Sequence, residues 1–85
     1  MVGKSSGSLE LPFGAALRRL RLAAGMSQER LALEAGVQRN FISLIETGQN
    51  QPTITTISKL ARALGLTASA LVAEAEGELR KPRRA

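Results

Sequence analysis

Apolar residues recur along this chain at helical spacing, in short stretches separated by glycine. Phe13, Leu17, Leu20 and Ala24 fall at i, i+4, i+7 and i+11, which is one face of a helix. Pro12 suits the first turn of that helix, and Gly25 closes it as a left-handed cap. Ser27 is a good N-cap for a second helix, because its hydroxyl can accept from a free backbone N–H of the first turn. Leu31, Ala32 and Ala35 form its inward face, and Gly36 ends it. A third helix runs from Gln38 to Glu46, anchored by Val37, Ile42 and Ile45 and stopped by Gly48. Pro52 and Thr53 open a fourth, with Ile54, Ile57, Leu60, Ala61 and Leu64 on one side and Gly65 at its end. Thr67 starts a short fifth helix that ends near Ala73 and contributes Leu66, Leu71 and Val72. Nothing alternates with the period of a strand, so the pattern predicts an all-α fold. Helices this short are marginal alone and depend on mutual packing.

The same pattern divides the chain. Residues 1–11 read as a flexible leader rich in glycine and serine, 12–73 as one folded domain, and 74–85 as a charged, disordered tail. The formal net charge is +5. Residues 10–73 carry seven bases against four acids, Glu74, Glu76 and Glu78 follow, and Arg80, Lys81, Arg83 and Arg84 make a basic end. A basic balance points to a polyanionic partner. The basic end suits either a solvated tail or an arm on phosphates.

Composition then excludes. The 85 residues contain neither cysteine nor histidine, which removes disulfides, thiol chemistry, the commonest general base and the usual zinc ligands. Glu29, Glu34 and Glu46 have no evident converging partner, and there is no phosphate-binding glycine loop. An enzyme, a metal site and a cofactor are therefore not expected. No apolar run approaches the ~20 residues that span a bilayer, and Met1 to Gly7 does not lead into a signal-peptide core. The expected location is the cytoplasm, with no membrane partner.

The informative segment is Met26 to Gly48. Two short helices are joined by a turn at Ala35-Gly36-Val37, which lets them cross steeply while Val37 packs between them. The second helix then presents Gln38, Arg39, Asn40 and Ser43, with Leu44 at the margin. Gln, Arg and Asn can each make bidentate contacts with base edges in the DNA major groove. The bland alternative is an ordinary solvated helix face, and position within the helix pair favours base contact.

These residues resemble the Cro/C1-type (XRE) helix-turn-helix family. The likeness runs from about Phe13 to Val72, through Arg21, Gly25-Met26-Ser27-Gln28, Leu31-Ala32, Ala35-Gly36-Val37, Ile42-Ser43, Ile45-Glu46 and Gly48, then Pro52, Leu60-Ala61 and Ala63-Leu64-Gly65. The resemblance implies a compact five-helix, lambda-repressor-like DNA-binding domain whose second and third helices form the helix-turn-helix. It implies that Gln38, Arg39, Asn40, Ser43 and Leu44 face bases. Ser27, Gln28, Arg30, Thr47, Gln49 and Asn50 would face the DNA backbone, with Gln28 also bracing the recognition helix. Arg21 and Glu46 would form a structural ion pair between the first and third helices.

Departures from the family pattern qualify this picture. Gln38 stands where Ser or Thr is frequent, which weakens the cap of the recognition helix. Leu44 stands where a polar or basic residue is frequent; a thymine methyl, a sugar and the core itself are all open to it. Gln49 and Asn50 stand where Lys or Arg is frequent, which should lower affinity and its salt dependence. Phe41 reads as a partly buried packing residue. Arg18 and Arg19 read as a solvated face. Arg30, Lys59 and Arg62 could neutralise phosphates, and only Arg30 is expected near the interface.

The function so implied is sequence-specific binding of double-stranded DNA by a small prokaryotic or phage transcriptional regulator. Two subtypes fit: a stand-alone regulator, such as the controller proteins of restriction–modification systems, or a DNA-binding fragment whose effector domain lies elsewhere. No small-molecule ligand is expected, because these residues leave no room for a sensing domain. A homodimer is expected, since a two-fold pair doubles the contacts and matches an inverted repeat with half-sites ~10 bp apart. Its expected interface is the apolar surface around Leu66, Leu71 and Val72. The rival is an antitoxin-like or adaptor module acting through protein partners.

Overall fold

A computed structural model describes residues 8–80. Five helices follow one another: α1 Glu10–Ala23, α2 Gln28–Ala35, α3 Arg39–Glu46, α4 Ile54–Ala63 and α5 Ala68–Arg80. There is no strand among the described residues. The starts and stops have local causes. The Ser27 hydroxyl accepts from Arg30 N at 3.0 Å and the Thr53 hydroxyl from Thr56 N at 3.1 Å. The Thr67 hydroxyl accepts from Ala70 N at 3.1 Å. Each satisfies a backbone donor that the first helical turn would otherwise leave free. Gln38, at the corresponding position of α3, makes no side-chain cap. Gly36 takes φ +73°, a left-handed conformation that an L side chain resists, and so turns the chain sharply between α2 and α3.

The core gathers one stripe from every helix: Phe13, Ala16 and Leu17; Leu31, Ala32 and Ala35; Ile42 and Ile45; Leu60 and Ala61; Leu71 and Ala75. α1 lies against α5 and α3, α2 packs on α3 and α4, and α4 packs on α5. The second and third helices are thus mounted on a platform made by the other three.

The ends of the domain differ from the sequence expectation. The first helix begins at Glu10, so Glu10 and Leu11, assigned to the leader, are helical. The fifth helix continues past Ala73 to Arg80, so residues 74–80, assigned to a disordered tail, are ordered helix. The cause lies in packing. Ala75 sits four residues after Leu71 and is equally buried, which carries the apolar stripe one turn further. Arg19 then bonds Glu74 at 2.8 Å and Glu78 at 2.9 Å, tying that turn to α1. Residues 1–7 of the leader and 81–85 of the basic end lie outside the described residues. Ile54, read into the inward stripe of α4, is 81 % exposed, because it stands at the edge of that stripe in the helix's first turn.

Leu71 requires a second correction. Assigned with Leu66 and Val72 to a subunit interface, it has no exposed surface and belongs to the core of the protomer. Leu66 and Val72 are half-buried. Val72 lines a shallow apolar cleft with Leu9, Phe13, Pro52 and Ile57.

Candidate nucleic-acid interface

α3 is amphipathic in the strict sense. Ile42 and Ile45 are fully buried and Phe41 half-buried, which anchors one side of the helix. At its N-terminal end Gln38, Arg39 and Asn40 are exposed in succession, and Ser43 and Leu44 lie half-buried one turn later. Spacings of three and four residues place Asn40, Ser43, Leu44 and Thr47 along one outward face. This face is polar and has no acidic residue, which suits a partner that is itself an anion.

Behind the face lies a polar network. Arg21 is buried in the core, and the carboxylate of its partner Glu46 is buried with it. Its Nε donates to Glu46 Oε2 at 2.6 Å and its Nη2 to Glu46 Oε1 at 3.0 Å, a bidentate pair. Its Nη1 donates to the Met26 carbonyl at 2.8 Å, just before α2. The hydrogen bonds to Glu46 hold the Arg21 pKa above the ordinary arginine value, so the charge is fixed at any working pH. Gln28 extends the network outward: Nε2 donates to Glu46 Oε1 at 3.0 Å, while Oε1 accepts from Arg39 Nη1 at 3.4 Å. The first residue of α2 is thus wired to both ends of α3.

The loop after α3 is wound back onto it. Gln49 N and Asn50 N both donate to the Leu44 carbonyl, at 2.9 and 3.2 Å. The Thr47 hydroxyl donates to the carbonyls of Ser43 and Leu44 and accepts from Gln49 Nε2 at 2.9 Å. Thr47 and Gln49 are exposed, so the edge of this loop is open to a backbone running past α3. Ser27 is occupied as the cap of α2. Arg30, expected near phosphate, is engaged by Glu34 one turn on at 2.7 Å, across an exposed surface. Such a pair is weak and yields readily to a stronger anion.

Sequence reasoning missed two sets of contacts. The Arg19 pairing with Glu74 and Glu78 spans 55 and 59 residues and leaves no local signal. The Arg21–Glu46 pair implied that α1 meets the end of α3, but the seating through Gly14 and Leu11 was not anticipated; glycine inside an otherwise good helix is its local sign.

Comparison with known proteins agrees with this geometry. A helix-turn-helix family model matches residues 17–71. The control protein C.BamHI of Bacillus amyloliquefaciens is 40 % identical over 60 residues, covering 69 % of this chain and 74 % of that protein. The control protein C.MunI of a Mycoplasma species is 31 % identical over 71 residues, covering 82 % and 96 %. Among solved structures, the restriction-modification controller protein C.AhdI of Aeromonas hydrophila is similar with a TM-score of 0.70 at 41 % identity, covering 72 % of this chain and 92 % of that one. The controller protein C.Esp1396I, solved as a tetramer on its natural 35-base-pair operator, has a TM-score of 0.79 at 25 % identity, covering 88 % and 99 %.

Proposed function

The chain belongs to the Cro/C1-type (XRE) helix-turn-helix family, and from that premise we propose that it is a sequence-specific DNA-binding transcriptional regulator of the controller-protein kind. The observation that carries this is the outward face of α3. Gln38, Arg39 and Asn40 stand exposed in succession, with no acidic residue among them, on a helix whose other side is fixed in the core. In this reading α3 enters the major groove. Arg39 and Asn40 read base edges, Gln38, Ser43 and Leu44 complete the contact, and Ser27, Gln28, Arg30, Thr47, Gln49 and Asn50 border the phosphates.

The protein acts as a homodimer on an inverted repeat. One eight-residue helix covers only a few base pairs, and a two-fold partner doubles both contacts and specificity. With Leu71 in the core, the surface left for pairing is that around Leu66 and Val72. The controller proteins among its relatives support the stand-alone subtype. No helix among the described residues is long and apolar enough to cross a membrane, and the place of action is the cytoplasm, where DNA is accessible. The reading assigns no catalytic step.

Selection of binding sites from a random duplex library, at fixed moderate salt, tests the reading. A palindromic sequence should be enriched. Arg39→Ala and Asn40→Ala should each lose ~1–3 kcal/mol of discrimination at one position of the half-site. Absence of any enriched sequence would refute specific readout.

A further inference from the structure

Gly14 stands in the interior of α1, where glycine is a poor helix former. The reason is the packing of α1 on α3. A Cβ built at Gly14 would overlap the carbonyl oxygen of Ile45 and lie 2.8 Å from the carbonyl oxygen and 2.9 Å from the carbonyl carbon of Glu46. All three are backbone atoms of the last turn of α3, so no side-chain rotation relieves the contact. One turn earlier, Leu11 lies over Gly48, its Cγ 3.0 Å from where a Cβ of Gly48 would stand. Two turns later, Arg21 grips the Glu46 side chain. α1 therefore holds the end of α3 at three points.

We propose that Gly14 is a positioning residue for operator recognition. Lacking a side chain, it lets the last turn of α3 seat on α1, and that seat sets the tilt at which Arg39 and Asn40 are presented at the other end of the helix. The inference rests on α3 being the DNA-reading helix. Its mechanics are those of a short lever: eight residues make a rod about 12 Å long. Phe13 and Leu17 fix α1 in the core, and Ile42 and Ile45 fix the middle of α3. Relief of the Cβ overlap with these backbone atoms is thus taken up as rotation of α3. Base readout tolerates errors of only about 0.5 Å or 10–20°.

The full chain is tested on its selected operator and on an unrelated duplex of equal length. Gly14→Ala is compared with Gly77→Ala, a helical glycine whose added Cβ meets nothing within 4 Å. Folded Gly14→Ala should lose about tenfold or more in the ratio of specific to non-specific affinity, as loss of one bidentate base contact would cause. Its non-specific affinity, which counts phosphates, should hold, and Gly77→Ala should keep both. A folded Gly14→Ala with the wild-type ratio overturns the proposal. Should Gly14→Ala prove unfolded by circular dichroism, Leu11→Ala carries the test, because Leu11 is 67 % exposed and outside the core. A reduced ratio at an unchanged melting temperature then supports the lever, and an unchanged ratio overturns it. Failure of the wild type to select any sequence would instead refute the DNA-reading role, and the proposal with it.

Discussion

Gln28 and Arg39 meet across the turn of the helix pair, the amide oxygen of one accepting from a guanidinium nitrogen of the other at 3.4 Å. The opposite end of the same amide donates to Glu46, which is locked to Arg21. One glutamine therefore connects an exposed arginine, proposed above to read bases, to a buried ion pair. Each hydrogen bond restricts the rotamers that Arg39 can visit before DNA arrives, so less ordering remains to be done on binding.

Gln28→Ala should separate these two roles. Loss of the bond to Glu46 should lower stability by about 1 kcal/mol, measured by urea unfolding. Operator affinity at low salt should fall further than the folded fraction explains, with non-specific affinity changed less. Equal losses on both duplexes would assign Gln28 to phosphate contact alone.

The Arg21–Glu46 pair is a matter of fold. Its side chains are 7 % and 3 % exposed, and truncating either leaves a buried charge unpaired. Arg21→Ala or Glu46→Ala should each cost ~3–5 kcal/mol, whereas Arg21→Met with Glu46→Leu should recover much of it. Denaturant midpoints of the three variants decide. Any loss of DNA binding in the single variants should track their unfolded fraction.

The loop after α3 contains no cation, since positions 47–52 are Thr, Gly, Gln, Asn, Gln and Pro. Gln49→Lys should raise operator affinity and steepen its dependence on salt by a slope of about 0.9, the value of one additional phosphate neutralised. A slope unchanged between two salt series would place this loop away from the DNA backbone.

Gly77 invites the plainest stability test. It lies within α5 with open space where a Cβ would go, so Gly77→Ala should stabilise the domain by about 0.5–1 kcal/mol. Thermal unfolding followed by helical ellipticity checks this, and a lower melting temperature would contradict the packing of α5.

Gly77 also shows where the sequence was hard to read. Four of the helices were legible because period and punctuation agreed in them: Ser27, Thr53 and the glycines at 25, 36, 48 and 65 mark ends that the structure places within a residue or two. In α5 they disagreed. Glu74, Glu76, Gly77 and Glu78 look like a solvated, broken stretch, and what holds them helical is Arg19 on another helix and the burial of Ala75. Neither has a local signature. The same limit explains Leu71. An apolar residue on a terminal helix serves equally as core or as interface, and only the position of α1 decides between them. The outward face of α3 was legible because the helix pair is local, spanning some twenty consecutive residues, whereas its link to Gln28 followed from the family resemblance alone.

The two phenylalanines carry a practical consequence. Phe13 is buried, Phe41 is half-buried on α3, and the chain has neither tryptophan nor tyrosine. The protein is consequently almost dark in the near ultraviolet, and DNA adds no useful emission of its own. Phe41→Trp would install a single fluorophore on the half-buried side of α3, the helix proposed to enter the groove. Its emission would then follow docking in real time against an empty optical background, with no dye attached to either molecule.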